Sequence, residues 1–207
     1  MSGYPIVLDI KGRTALIIGG GQVAFRKMEN LVRGEARVTV ISPNLHPSFK
    51  GYLERGEMTW IKRDYEEGDE ETAFIVIAAT DDKALNAIIA KRVSDHQLLN
   101  VVSQPSLGNF SSPALVTRGK LTIAIATEGA SPLLTKRIKQ ELEERFEPEF
   151  DKYVDFLGQC RALIKNDQLK EQEKHLLLSA LLEPIYHSEG EQKKVLDDYE
   201  GFKANYL

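Results

Sequence analysis

The tract TALIIGGGQVAFRKMENLVRG, residues 14–34, constrains the fold more than any other part of the chain. An apolar run ends in three glycines, and from Gln22 the residues Ala24, Met28, Leu31 and Val32 recur at helical spacing until Gly34. A strand, a tight turn and a helix in immediate succession leave little choice of architecture. Read as G-x-G-x-x-A, the tract sets Gly19 at the tight turn and Gly21 where backbone must come close to a pyrophosphate. Ala24 then falls where helix and strand pack closely. The unpaired N–H groups at the helix start would face the phosphates. Gly19, Gly20, Gly21, Gln22 and Val23 are therefore the candidate phosphate-binding residues. The competing reading is a glycine-rich turn with no ligand.

The rest of the first hundred residues repeats this alternation. Arg37–Ile41 reads as a second strand, 45–56 as a short helix, 58–61 as a short strand and 74–79 as a fourth strand. The intervening DYEEGDEE, 64–71, reads as a solvated acidic loop. Asp81 and Asp82 are N-cap candidates for a helix carrying Leu85, Ile88, Ile89 and Val93, and Leu98–Val102 is a fifth strand. Near-continuous apolar strands alternating with helices imply a parallel sheet covered on both faces, an α/β, Rossmann-like domain over 1–112.

After residue 112 the pattern changes. Ala114–Thr117 and Leu121–Thr127 flank Arg118-Gly119-Lys120 as a hairpin. Ser131-Pro132 opens a helix to about 146, serine suiting the N-cap and proline the first helical position. These strands and helix make a small α+β segment, 113–147, and 148–207 reads as a helical C-terminal domain.

With 207 residues, 42% of them hydrophobic, the chain can bury a sizeable core. Its net charge of −4 gives no general cause to bind nucleic acid or an anionic membrane. The apolar runs are far shorter than the ~20 residues of a membrane span, and no secretory leader is visible. One cysteine, Cys160, rules out an internal disulfide and fits a reducing compartment, so a cytoplasmic protein is expected. Cys160 and Trp60 read as core residues, and Asp95 and His96 as surface capping. The four histidines are scattered and there is no cysteine-rich tract, so no metal site is expected.

Two strand ends carry the chemistry. The second ends in Ile41-Ser42-Pro43-Asn44, without the carboxylate that usually holds the adenosine ribose of NAD. Ser42 and Asn44 can bond a 2′-hydroxyl, and no arginine stands in the turn to attract a 2′-phosphate, although Arg37 and Arg63 lie to either side. NAD is favoured over NADP on these grounds. Thr80, ending the fourth strand, can line the nicotinamide side of the crevice, cap the next helix with Asp81, or do both. The fifth strand stops at Ser103-Gln104-Pro105, delivering a serine to the mouth of the crevice, with Gln104, Ser106 and Asn109 following.

Several segments in order, PIVLDIKGRTALIIGGGQVAFRKMENL, VTVISP, IVIAATDD, NVV and TIAIATEGASPLLTKRIKQELE, resemble the precorrin-2 dehydrogenase family, the oxidase/chelatase module of siroheme synthase and its stand-alone homologues. The likeness runs from residue 5 to about 147. It implies a homodimer interlocked through 114–146 and NAD-dependent oxidation of precorrin-2 to sirohydrochlorin, with iron insertion in some members. Carried over by position, Gly19–Val23 and Ser42–Asn44 bind NAD and Thr80 lies beside it. The family's strand end resembles NVVDxP, with an aspartate given a part in both reactions; here that position is Ser103. A neutral hydroxyl is no general base without a neighbour to take its proton. Ser103 is thus expected to contact substrate, in a dehydrogenase without chelatase activity. A bifunctional enzyme, or a catalytically quiet NAD- or tetrapyrrole-binding protein, are the alternatives. The implied substrate carries eight carboxylates, so Arg118, Lys120, Lys136, Arg137 and Lys139 are candidate contacts against the competing reading of a solvated face. The helix start at Gly129-Ala130-Ser131 can also receive a carboxylate.

Overall fold

The computed structural model describes residues 3–207. The chain divides into two compact units, one ending at Ser112 and one running from Pro113 to Leu207.

In the first unit β1 (Thr14–Ile18), β2 (Arg37–Ile41), β3 (Thr59–Ile61), β4 (Ile75–Ala78) and β5 (Leu98–Val101) form one sheet in the order β3-β2-β1-β4-β5. Every pairing is parallel, with Ile17 opposite Val40 on one side and Ile77 on the other. Parallel strands need crossover helices on the sheet faces, which is why these strands are apolar on both. Ala15, Ile17, Val38, Val40, Ile75 and Ile77 pack on one face against Ala24, Met28 and Leu31 of α1 (Gln22–Arg33). Leu16, Ile18, Val76, Ala78 and Val101 pack on the other against Ile89 of α3 (Lys83–Arg92). Ala24 is fully buried where α1 meets the sheet, as the glycine motif requires.

The helix expected over 45–56 is interrupted. Pro47–Phe49 form a 3₁₀ turn and only Lys50–Glu54 (α2) are α-helical. The amide of His46 is committed to the carbonyl of Gly20, 2.7 Å away, and Pro47 has no N–H to propagate a helix from that point.

The acidic connection before β4 is not the solvated loop expected. Glu70 is only 3% exposed, and its carboxylate accepts the hydroxyl of Tyr65 at 2.6 Å and the amide of Gly68 at 3.2 Å. Gln97, also buried, donates both hydrogens of its amide to the carbonyls of Glu70 and Ala73, at 2.7 and 2.6 Å. The run is acidic because its outward residues meet water, but Tyr65 packs against the α3-side core.

In the second unit β6 (Ala114–Arg118) and β7 (Leu121–Ile125) pair antiparallel, and α4 (Pro132–Arg145) packs on them. Ser131 caps α4 by accepting the amide of Leu134 at 3.2 Å. Around α5 (Phe150–Asn166), α6 (Glu171–Ala180), α7 (Glu189–Asp197) and α8 (Tyr199–Ala204), Tyr153, Phe156, Cys160, Leu177, Tyr186 and Phe202 form a core rich in edge-to-face rings. Burial pushes the Cys160 thiol up to about 11, which makes it an inert filler.

Gln97→Ala takes the side-chain donor from the Ala73 carbonyl and leaves the Glu70 carbonyl only its bond from the Ala73 amide. It is expected to cost about 1–3 kcal/mol in chemical denaturation and to raise amide exchange across 64–71, while exchange in β1 stays near wild type.

Candidate functional site

A cleft of about 580 Å³ opens at the carboxyl ends of β1, β2 and β4. It lies where the crossover helices change from one face of the sheet to the other, the position at which open α/β sheets bind ligands. Its walls are Ile18–Gly21, the turn Ile41–His46, Asp64 and Tyr65, and the stretch Ala79–Asp82 with Leu85.

The three glycines do different work. Gly19 has φ +116°, and a side chain there would run into the carbonyl of Ala79. A side chain on Gly20 would collide with the carbonyl of Asn44. A Cβ on Gly21 would meet nothing within 4 Å, because that position faces open space. Gly21 is also the N-cap of α1 and offers no side-chain cap, so the first amides of the helix, those of Gln22 and Val23 among them, are free to bind an anion. Glycine is needed at Gly19 and Gly20 for packing, and at Gly21 for whatever enters the cleft. That combination fits the pyrophosphate of a dinucleotide.

The opposite wall is braced from behind. Ser42 donates its hydroxyl to the carbonyl of Asn44 at 2.7 Å, and the indole N–H of Trp60 donates to the carbonyl of Ser42 at 2.9 Å. Trp60 is therefore half-buried support for this turn rather than anonymous core. The Ser42 proton is spent on the turn, which leaves Ser42 an acceptor toward the cleft.

The sequence-predicted residues Gly19, Gly20, Gly21, Ser42, Pro43, Asn44 and Thr80 all line this cleft, and Gln22 and Val23 open the helix beside it. Tyr65, Asp64, His46 and Leu85 line it too and were missed. The one available signal for Tyr65 was a lone aromatic in a run of acids. Burial and the neighbouring Glu70 carboxylate raise the Tyr65 hydroxyl well above its ordinary value, so it is a neutral donor to Glu70 at any ordinary pH. Arg63 grips Asp69 through two bonds of 2.7 Å and holds that carboxyl below the usual carboxylate range.

Ser103 stands outside these walls and is joined to them by Asn86, which sequence reasoning also missed. The Asn86 amide donates to Ser103 Oγ at 3.1 Å and to the Thr80 carbonyl at 3.0 Å, and accepts the Thr80 hydroxyl at 2.7 Å. Thr80 lines the cleft and its hydroxyl is bonded at the entry of α3, where Asp82 rather than Asp81 supplies the cap. Asn109 stitches its loop onto β5 by bonding Leu99 and Gln97, at 2.8 and 2.7 Å.

In the second unit the guanidinium of Arg118 is engaged by the carbonyls of Phe146, Thr117 and Glu143, which close the end of α4. Lys120 pairs with Asp155 at 3.0 Å, Arg137 with Glu141 at 2.9 Å and Lys139 with Glu143 at 3.5 Å. Lys136 is exposed and makes no ion pair among the described residues. Among the described residues no three His, Cys, Asp or Glu side chains gather as a metal-holding group, and no helix is long and apolar enough to cross a membrane.

Comparison with known proteins agrees with this division. Residues 6–114 match the family described as putative NAD(P)-binding, 118–145 the central region of sirohaem biosynthesis proteins, and 150–195 the SirC C-terminal domain. The precorrin-2 dehydrogenase of Priestia megaterium is 34% identical over 97% of this chain and 100% of its own. That of Bacillus subtilis strain 168 is 36% identical over 76% of this chain and 97% of its own. A solved structure described as SirC, precorrin-2 dehydrogenase, superposes with a TM-score of 0.82 at 34% identity, covering 96% of this chain and all of that one.

Gly21→Ala should leave the melting temperature near wild type and weaken cofactor binding about tenfold or more in calorimetry. Gly20→Ala should instead lower the melting temperature, because its methyl collides with backbone. Undiminished cofactor affinity in Gly21→Ala would refute the phosphate assignment.

Proposed function

The chain belongs to the precorrin-2 dehydrogenase family, and from that premise we propose that the cleft at Gly19–Gly21 binds NAD and that Ser103 stands at its substrate side. The protein is an oxidoreductase of siroheme synthesis that takes a hydride and a proton from precorrin-2 to give sirohydrochlorin. The observation that carries this is the open Gly21 at an uncapped helix start, in a chain collinear with precorrin-2 dehydrogenases over their whole length. A nicotinamide dinucleotide held by Gly21 and the first turn of α1 would supply the hydride acceptor, and with no base bonded to Ser103 the proton would pass to water.

The chain's own residues hold and orient. Gly21 and the first turn of α1 bind the pyrophosphate, Ser42 and Asn44 accept from the adenosine ribose, and Thr80 flanks the nicotinamide half. Two observations support NAD over NADP. Arg63 is engaged by both oxygens of Asp69 and by the carbonyl of Asp64, and Arg37 begins β2 at the end remote from the cleft. The carboxylate of Asp64 lines the same cleft and repels an added 2′-phosphate. Ser103 touches an amide, not an acid or an imidazole, so nothing there accepts the two pyrrole protons that metal insertion releases. This supports a dehydrogenase without chelatase activity.

For the substrate's carboxylates, Lys120, Lys136 and Arg137 keep exposed charges, whereas Arg118 is assigned to holding α4. A homodimer is supported by the second unit. No residue of α4 is fully buried, Leu133 and Leu134 are 81% and 48% exposed, and a two-stranded hairpin gains too little from its own contacts to stand alone. With its single cysteine, the protein is assigned to the cytoplasm.

Incubation with precorrin-2 and NAD should build up the absorbance of sirohydrochlorin, with kcat/KM for NADP about tenfold lower or less. Binding of both reactants without turnover would instead identify a quiet binding protein. Ferrous or cobaltous ion mixed with sirohydrochlorin should enter no faster with the protein than without it. Leu133→Glu should shift sedimentation from dimer toward monomer; a wild type that sediments as a monomer removes the dimer proposal.

A further inference from the structure

Asn86 is completely buried, yet it is an amide in an otherwise apolar face of α3. Its hydrogen bonds account for the anomaly. Oδ1 accepts the hydroxyl and the amide of Thr80, at 2.7 and 3.3 Å. Nδ2 donates to the Thr80 carbonyl at 3.0 Å and to Ser103 Oγ at 3.1 Å. Both oxygen lone pairs and both N–H groups are used, so the side chain is fully satisfied in one orientation. Turned over, it would set Oδ1 against the Thr80 carbonyl oxygen and Nδ2 against the Thr80 N–H. The backbone of Thr80 cannot change its polarity, and so it dictates that of Asn86.

That polarity passes to Ser103. Its oxygen receives an N–H from Asn86, so its single hydrogen must point elsewhere. Among the described residues no acceptor receives that hydrogen, and Ser103 is exposed at the end of β5. Thr80 cannot substitute for it, because the Thr80 hydroxyl is already shared between Asn86 and the carbonyl of Asp82 at 3.0 Å.

We propose that Asn86 is a positioning residue that holds Ser103 as a hydrogen-bond donor to an sp² oxygen of a bound reactant. That oxygen belongs either to the carboxamide of the nicotinamide or to a carboxylate of the tetrapyrrole. The inference rests on the dehydrogenase reading of the cleft. It defines Ser103 by what its neighbour permits: Ser103 gives a hydrogen bond and takes no proton.

The test is a double-mutant cycle of Asn86→Ala and Ser103→Ala. It is read in the NAD dissociation constant by calorimetry and in kcat and KM for precorrin-2. Ser103→Ala should lower kcat/KM about tenfold. Asn86→Ala should do the same, and the double variant should be no worse than either. Ser103→Thr, which keeps a hydroxyl, should recover most of the loss. A weakened NAD affinity assigns the carboxamide; a raised KM for precorrin-2 with unchanged NAD affinity assigns a carboxylate. If Asn86→Ala does not fold, Asn86→Asp takes its place, since it keeps an acceptor for Thr80 and has no N–H for Ser103. Additive losses, or no change in Ser103→Ala, overturn the proposal. A wild type that binds NAD but leaves precorrin-2 unchanged refutes the dehydrogenase reading instead, and the cycle is then read in precorrin-2 affinity alone.

Discussion

Two backbones in contact set the geometry of this site. The turn after β1 and the turn after β2 meet without side chains between them: the His46 amide bonds the Gly20 carbonyl at 2.7 Å, and the Asn44 carbonyl occupies the space a Cβ on Gly20 would need. Packing this tight fixes the distance between the phosphate-binding turn and the ribose wall to within a few tenths of an ångström, since interiors have little free volume to yield. The same contact diverts 45–49 from helix into a 3₁₀ turn. Ser42 and Trp60 then brace the wall from behind, so its stiffness does not depend on a ligand.

The far wall is stiffened by a different device. A run of acids would ordinarily repel itself into a mobile loop, and in this chain it is pinned at both ends. Arg63 neutralises Asp69 in a bidentate pair, and Tyr65, Gly68 and Gln97 satisfy Glu70 through its carboxylate and its carbonyl. Arg92 pairs with Glu67 from α3. Asp64 is among the residues that line the cleft.

Much of the first unit was legible because its signals are local. A strand, three glycines and a helix with one apolar stripe can be recognised without knowing what they pack against. The handedness of parallel crossovers then ties the face each connecting helix covers to the side on which the next strand is added, whereas the strand order itself is seen only in the structure. What escaped was set by tertiary contact. Asn86 reads as one of four polar residues in a ten-residue helix, and nothing in sequence says which groups would satisfy its amide. Tyr65 was hidden by the acids around it. Arg118 reads as a cation for an anionic substrate, but here each of its three nitrogens donates to a carbonyl, two of them at the end of α4 and one in β6. Charge is visible in a sequence; the partner that consumes it is not.

Ser103, standing where the resemblance implies an aspartate, bears differently on the two reactions associated with the family. Placing a hydride donor against a nicotinamide can supply as much as about 7–11 kcal/mol through orientation alone. A general base adds about 10²–10⁴-fold. A dehydrogenase whose main device is placement therefore keeps most of its advantage with a neutral hydroxyl at this position, provided the hydroxyl is well aimed. Asn86 supplies the aim, because an amide locked by Thr80 turns the Ser103 hydrogen away from α3. Metal insertion has no such latitude. Two protons must leave the pyrrole nitrogens as the ion enters, and a neutral serine hydroxyl that already accepts from an amide is too weak a base to receive them.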